Sequence, residues 1–332
     1  MIFALSRKKI NLATFGLIAG VIFSIDMWRI EKNFIQTVPH PTKYFAPDEV
    51  VRLLNEDKSI FRVYPLEYRQ TDDNYLMLYD IQSVGGHHGN QLARYQEFIG
   101  AEHTVLFDPR NLFYPNILNL LNVKYIIMPP VDLSQLPEFH PDPSVDATIK
   151  TIRLVNNPAY FKLFYQGRTI QIFENLYNLP RAFFVPQYQI IKDNKSIMTT
   201  IKSNTFNPRK TVILEVDPGI FQSEDTTILG QARITNYEPD RVEIEASLTN
   251  PGFLVLTDNY YPLYQAEVDG NKTTVYRANY TFRAIHLPAG KHEIVFRFNS
   301  PFFSFGILIS IVTFIFSIMV VTIALKKRKI SK

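Results

Sequence analysis

The run Phe253–Phe298, FLVLTDNYYPLYQAEVDGNKTTVYRANYTFRAIHLPAGKHEIVFRF, decides how the chain is read. Ile294, Phe296 and Phe298 alternate with Glu293, Val295 and Arg297, the period-2 pattern of a strand with one buried face. Asp269-Gly270 separates two short runs, and this pair tolerates the positive φ angles of a two-residue hairpin turn. Pro288-Ala289-Gly290 marks the next turn, Pro presetting one angle and Gly freeing another. Working outward, strand-like runs recur at Thr211–Val216, Gln231–Thr235, Arg241–Leu248 and Phe253–Leu256. They continue at Tyr264–Val268, Thr273–Arg277, Thr281–Leu287 and His292–Phe298. Short strands at this spacing, with no helix between them, predict an antiparallel β-sandwich over residues 201–300.

Just beyond Phe298 the composition changes. Phe302–Leu325 carries no charged residue, and as a helix it would be about 36 Å long, enough to cross a hydrocarbon core of about 30 Å. Residues 326–332 form a basic tail led by Lys326, Lys327, Arg328 and Lys329. At the other end, Arg7, Lys8 and Lys9 close a basic segment, 1–9, ahead of a second apolar run over 10–28 that ends at Trp28. No small-x-small cleavage site follows it, so the run reads as an uncleaved transmembrane helix and not as a signal peptide. Asp26 then sits near its outer edge as an interfacial carboxylate. Basic residues outside both helices put both termini in the cytoplasm and the body of the chain outside a bacterial cytoplasmic membrane.

The net charge of +4 follows the same pattern. Without the eight terminal cations, 27 basic residues face 31 acidic ones, about −4, which leaves no basic face for phosphate backbones and excludes nucleic acid as a partner. With no cysteine among 332 residues, disulfides, thiolate metal sites and a cysteine nucleophile are also excluded. The expected partner is the lipid bilayer, and the sequence calls for no metal and no cofactor.

Between the first helix and the strand-rich part, residues 29–200 read as a mixed α+β domain. A proline-rich entry runs from Pro39 to Pro47, and a short helix follows with Asp48 and Glu49 in its first turn. Phe61–Tyr64, Val123–Met128 and Ala182–Val185 read as strands, and Phe161–Phe173 reads as a hairpin around Gln166-Gly167-Arg168. In Asp80–Gly100, DIQSVGGHHGNQLARYQEFIG, glycines bracket His87-His88 and lead into a helix expected from Asn90 to Ile99. Glycines before a helix can expose N–H groups to an anion, although a turn that positions the helix is the plainer reading. The two histidines diverge on an extended segment and have no third ligand at metal spacing.

No nucleophile elbow, P-loop, HExxH or kinase motif is present. The candidate binding residues are Gly85, Gly86, His87, Arg94 and Tyr95 in the glycine-led stretch. In the strand-rich stretch they are Asp258, Tyr260, Tyr261, Arg277, Asn279 and Tyr280. Tyrosines interleaved with planar hydrogen-bonding groups suit sugar rings, which have an apolar face and a hydroxyl rim; the competing reading is core packing or seating on lipid headgroups.

Several blocks resemble the C-terminal part of the bacterial YfhO membrane-protein family. They are Ile25–Trp28 at a helix exit, Ser83–Gln96, Leu120–Ile127, and Asp258-Asn259-Tyr260-Tyr261-Pro262 through Val268-Asp269-Gly270. Tyr276-Arg277-Ala278-Asn279-Tyr280, Phe282-Arg283 and Pro288–His292 complete the set, and this last block is the most specific. The family is similar to GT-C glycosyltransferases, polytopic enzymes that use a polyprenyl-phosphate sugar and glycosylate envelope polymers outside the membrane. In that fold the catalytic carboxylate lies in an early external loop of a many-helix region that this sequence does not contain, so the resemblance transfers no catalytic residue. It implies a membrane-anchored α+β chain, flanked by two transmembrane helices, that binds an envelope glycan acceptor or supports a separate catalytic polytopic subunit. The alternatives are a non-enzymatic scaffold for envelope carbohydrate or protein, and a self-sufficient hydrolase.

Overall fold

The computed structural model describes residues 11–32, 34–35, 40–68, 74–86, 89–101, 107–220 and 230–330. The basic segment 1–9, Pro39 and the pair His87-His88 lie outside the described residues. The chain forms two compact units, 1–56 and 57–332.

The first unit is helical. α1 (Leu12–Glu31) is capped by Asn11, whose side chain accepts from Thr14 N at 2.8 Å. It runs three residues past Trp28, so Asp26 lies more than one turn inside its end. The stretch Ala13–Glu31 is long and apolar enough to cross a membrane, and none of it is buried in the protein. α2 (Pro41–Tyr44) is a single turn. α3 (Glu49–Leu54) starts where the acidic first turn predicts, with Asp48 accepting from Val51 N at 3.0 Å.

Among the described residues, the second unit contains three sheets. The first has strand order β2-β1-β3-β5-β4, made from β1 (Arg62–Pro65), β2 (Gln82–Ser83), β3 (Val123–Met128), β4 (Phe161–Gln166) and β5 (Gln171–Asn175). Its β1 pairs in parallel with β2 and β3, and the expected 161–173 hairpin supplies the antiparallel β4–β5 pair. The second sheet takes β6 (Ala182–Val185), β7 (Gln187–Ile190), β8 (Thr211–Leu214), β11 (Gly252–Asn259), β14 (Tyr276–Ala278) and β15 (Phe282–Leu287), in the order β6-β11-β15-β14-β8-β7. The third has the order β13-β12-β16-β10-β9. It contains β9 (Gly230–Tyr237), β10 (Arg241–Leu248), β12 (Tyr264–Val268), β13 (Asn271–Thr273) and β16 (Gly290–Phe298).

Two helices that periodicity did not pick out belong to this unit. α6 (Pro143–Val155) and α7 (Asn194–Lys202) are each started by an aspartate, Asp142 accepting from Ser144 N and Asp193 from Ser196 N, both at 2.8 Å. The shorter α4 (Ala93–Ile99) sits close to where the sequence predicts a helix, beginning three residues after Asn90, and α5 (Pro115–Leu120) leads into β3.

β11 occupies the middle of the packing because both of its faces are apolar. Phe253 and Val255 join a core with sheet one and the helices, including Phe98, Leu118 and Ile197. Leu254 and Leu256 point the other way and join Val242, Ile244, Ile294 and Phe296 of sheet three. Each such fully buried Leu or Phe contributes about 1.5–3 kcal/mol. Alternation explains the arrangement: successive strand residues face opposite sides, so an unbroken apolar run belongs where both sides are covered.

The sequence expectations meet two differences here. β6 and β7 precede residue 201 yet pair with β11 and β8, which follow it, so the expected division at 200/201 runs through a sheet. The β7–β8 pair is also parallel. The run Thr273–Arg277, expected as one strand, is shared between two sheets: β13 ends at Thr273 in sheet three and β14 begins at Tyr276 in sheet two.

The Asp269-Gly270 turn has the expected form, with φ of 51° and 78°. α8 (Pro301–Ile330) follows β16 directly. Its stretch Pro301–Ile323 is long and apolar enough to cross a membrane. Within it Ser310, Thr313, Ser317 and Thr322 donate to carbonyls one turn earlier at 2.8–2.9 Å, which satisfies their hydroxyls inside the helix.

Candidate functional site

The site begins with a break in a ladder. β11 pairs with β15 from Gly252↔Leu287 to Leu256↔Arg283, and then the register jumps to Asn259↔Phe282. Thr257 and Asp258 are the extra residues, and a bulge of this kind re-aims a side chain out of the strand's ordinary alternation. The Asp258 carboxylate therefore meets groups from all three sheets. Arg62 of sheet one reaches Asp258 Oδ1 at 3.2 Å, and Arg181, just before β6, reaches the same oxygen at 3.1 Å. Arg283 of β15 reaches Oδ2 at 3.4 Å. The Tyr237 hydroxyl at the end of β9 donates to Oδ1 at 2.9 Å.

All four charged residues are buried, Asp258 and Arg62 at 8% exposure, Arg283 at 3% and Arg181 at 2%. Burial pushes the Asp258 carboxyl up, but Arg181, Arg283 and Arg62 outweigh it and hold the group below the usual carboxylate range. Burial and the neighbouring Arg62 pull Arg181 down to about 10, so it is still charged at neutral pH. Fixed partners hold the guanidinium planes in place. Arg62 Nη1 donates to the carbonyls of Leu121 and Thr257 at 3.0 and 2.9 Å, and Arg181 Nη2 donates to Gln82 Oε1 at 2.7 Å. Arg283 stacks 3.8 Å from the centre of the Tyr264 ring. Two donors have no partner among the described residues, Arg283 Nη1 and Arg181 Nε. Three guanidiniums thus converge on one carboxylate, with hydrogen-bonding capacity left over.

Arg62, Asp258 and Arg283 form the floor of a cleft of about 1460 Å³. Tyr261, Tyr264 and Phe298 make an aromatic wall, with the Tyr261 and Tyr264 rings 6.1 and 5.2 Å from that of Phe298. Exposed Asp80 and Glu238 also line it, so a cationic floor lies within an acidic rim. Ser300, immediately before α8, lines one end. The volume exceeds the roughly 300–1,000 Å³ of ordinary small-molecule pockets and suits an elongated ligand.

The predicted residues fall into two groups. Gly85, Asp258 and Tyr261 line the cleft. Gly86 stands beside it at φ 141°, where a Cβ would lie 2.9 Å from Asn74 Oδ1. Tyr95 is tied to the same loop by its hydroxyl, 2.8 Å from Val84 O, and burial holds its phenol above the usual value. His87 lies outside the described residues.

The second group surrounds Glu215. One oxygen of this carboxylate is bound by Arg94 Nη1, and the other by Arg277 Nη1 at 3.1 Å. Arg94 also donates to the Tyr280 carbonyl at 3.1 Å and lies over the Tyr280 ring, whose hydroxyl bonds Glu97. Arg277 lies 4.7 Å from the Tyr260 ring centre. Asn279 is fully buried and acts as a splice: its N–H donates to Ile213 O, and its side-chain oxygen accepts from Ile213 N, both at 2.9 Å. Asn279 and Tyr280 both have positive φ, 45° and 79°, a conformation that is costly for a bulky residue and that Arg94 clamps from above.

Arg62, Arg181 and Tyr237 were not singled out in the sequence. The available signal was an arginine inside an apolar strand run, Phe61-Arg62-Val63 and Arg181-Ala182-Phe183, which has to find a buried anion.

The strand-rich half, with its bulged Asp258 strand and the Asn279-Tyr280 corner, is also where a known family matches. Residues 190–310 match the family model described as Bacterial membrane protein YfhO. The YfhO resemblance therefore holds for that stretch, just over a third of the chain. It contains Tyr237, Asp258, Tyr261, Arg283 and Ser300, whereas Arg62 and Gly85 come from outside it. No curated protein and no solved structure matches the chain.

Proposed function

We propose that this chain is the extracytoplasmic, acceptor-binding portion of a YfhO-like membrane glycosyltransferase. In this reading α1 and α8 cross the bacterial cytoplasmic membrane, both termini are cytoplasmic, and sheets two and three act as a β-sandwich outside. A separate polytopic membrane region carries the catalysis and uses the polyprenyl-phosphate sugar. The occupant of the cleft is an envelope polysaccharide or teichoic acid.

The observation that carries the reading is the floor of the cleft. Arg62 and Arg283 sit in a buried, fixed array, with an Arg283 donor that has no partner among the described residues, beneath exposed Tyr261 and Phe298. Preorganised guanidiniums favour phosphate or hydroxyl oxygens, and the aromatic wall offers a face to sugar or polyol carbons. The cleft ends at Ser300, one residue from α8, which suits an acceptor polymer lying close to the bilayer.

The test is a titration of the full chain in lipid nanodiscs with poly(glycerol phosphate) and with neutral envelope polysaccharide. The expected result is saturable binding of at least one polymer, weakened at least tenfold by Tyr261→Ala with the circular dichroism unchanged. Folded wild-type protein that binds neither polymer overturns the reading.

A further inference from the structure

A smaller pocket lies in another part of the second unit, where α5, the end of α6 and the ends of the β4–β5 hairpin converge. Its volume is about 200 Å³. Leu112, Leu118 and Phe161 form an apolar base, each at most 5% exposed. Tyr160 and Tyr177 stand at its mouth with ring centres 6.4 Å apart, and they are 41% and 52% exposed. Among the described residues, no aspartate, glutamate, lysine, arginine or histidine lines it.

Two buried asparagines set its polarity. Asn175 is fully used: its Nδ2 donates to Asn119 Oδ1 and Val123 O, both at 3.0 Å, and its Oδ1 accepts from Tyr177 N at 3.0 Å. Those bonds fix Asn119 with its oxygen engaged. Its Nδ2 is left with no partner among the described residues, although the residue is only 8% exposed and lines the pocket. The Asn119 amide nitrogen is thus a donor open to the pocket, from which a ligand oxygen can accept.

We propose that this pocket is a second binding site, distinct from the Asp258 cleft, and that it takes one uncharged sugar ring. The absence of charged lining excludes an ionic ligand, because burying an unpaired charge here is costly. The paired tyrosines cover an apolar ring face, and Asn119 Nδ2 donates to a ring hydroxyl or acetamido oxygen. The volume, below the roughly 300 Å³ of pockets for whole drug-sized ligands, limits the occupant to a single residue of a glycan.

The test is saturation-transfer NMR on the full chain in lipid nanodiscs, so that no sugar-headed detergent competes. The probes are methyl glucoside, methyl N-acetylglucosaminide and glucuronate. Binding of at least one neutral glycoside is expected, with glucuronate at least tenfold weaker. Tyr177→Ala changes a half-exposed side chain and is expected to weaken binding at least tenfold. Asn119→Asp keeps the oxygen that Asn175 needs while removing the free donor, and it is expected to do the same. No binding by the folded protein, glucuronate binding as tightly as the neutral probes, or no effect of Tyr177→Ala overturns the proposal. Binding lost on Tyr261→Ala but not on Tyr177→Ala places the sugar in the large cleft instead; the acceptor reading then stands and this one falls.

Discussion

Arg62 on β1 and Asp258 on β11, 196 positions apart, meet at 3.2 Å, and this contact joins sheet one to sheet two. Arg181, Arg283 and Tyr237 share the same carboxylate, so one side chain ties all three sheets together. Its removal strands three cations, whereas removal of one arginine leaves the carboxylate still paired.

An asymmetry in stability follows. Asp258→Asn is expected to destabilise the chain by about 3–5 kcal/mol, the cost of leaving buried charge uncompensated. Arg181→Met, which replaces one of three cations with a flexible apolar side chain, is expected to cost less than half as much. Urea unfolding of the two variants measures the difference, and equal losses would show that Asp258 is not the hub.

Acid sensitivity has a second origin at the start of the unit. Burial would raise the Asp57 carboxyl, but hydrogen bonds from Lys124 at 2.5 Å, from Ser59 N and from Tyr125 bring it to about 2. Its folded value lies below the unfolded value of about 3.9, so its contribution of about 2 kcal/mol is present above that value and is lost as pH falls toward 2. Asp258, also depressed, adds a loss of the same sign. Asp57→Asn is expected to lower stability at pH 7 and to flatten its fall between pH 4 and 2, as measured by denaturant midpoints across that range.

Gly100 ends α4 in the left-handed region at φ 71°, where a Cβ would stand 2.7 Å from Asp108 Cβ. Gly100→Ala therefore meets both backbone strain and a clash, and a loss of more than about 1 kcal/mol is expected in the same unfolding assay.

The Asn279-Tyr280 corner yields a more local prediction. Asn279→Ala removes the oxygen that accepts from Ile213 N and puts a residue less tolerant of positive φ at 45°. A loss of about 2 kcal/mol is expected, with amide exchange at Ile213 accelerated more than at Leu254. Uniform acceleration at both positions would show that the corner is not a local splice.

Much of sheet three was legible because its signals are local. The alternation Ile294, Phe296 and the Asp269-Gly270 turn need no distant partner to be read. Phe298 breaks the burial pattern at 36% exposure because it lines the cleft. The sheet change between Thr273 and Tyr276 was not legible, since both halves favour strand and only packing decides which sheet each joins. The Asp258 hub was harder still. Asp258 and Arg283 stand among strand residues with nothing local to show that a bulge turns one toward the other, and Arg62 and Arg181 arrive from distant segments. The helices α6 and α7 were readable in principle from Asp142-Pro143 and Asp193, each an N-cap signal.

The central claim is that the body carrying the cleft lies outside the cytoplasmic membrane. The chain has no cysteine, so Ser247→Cys, at an exposed position on β10, introduces a single thiol. Labelling by a membrane-impermeant maleimide in intact spheroplasts is the direct measurement. The account predicts labelling before lysis, equal to that after lysis; labelling that appears only after lysis would contradict it.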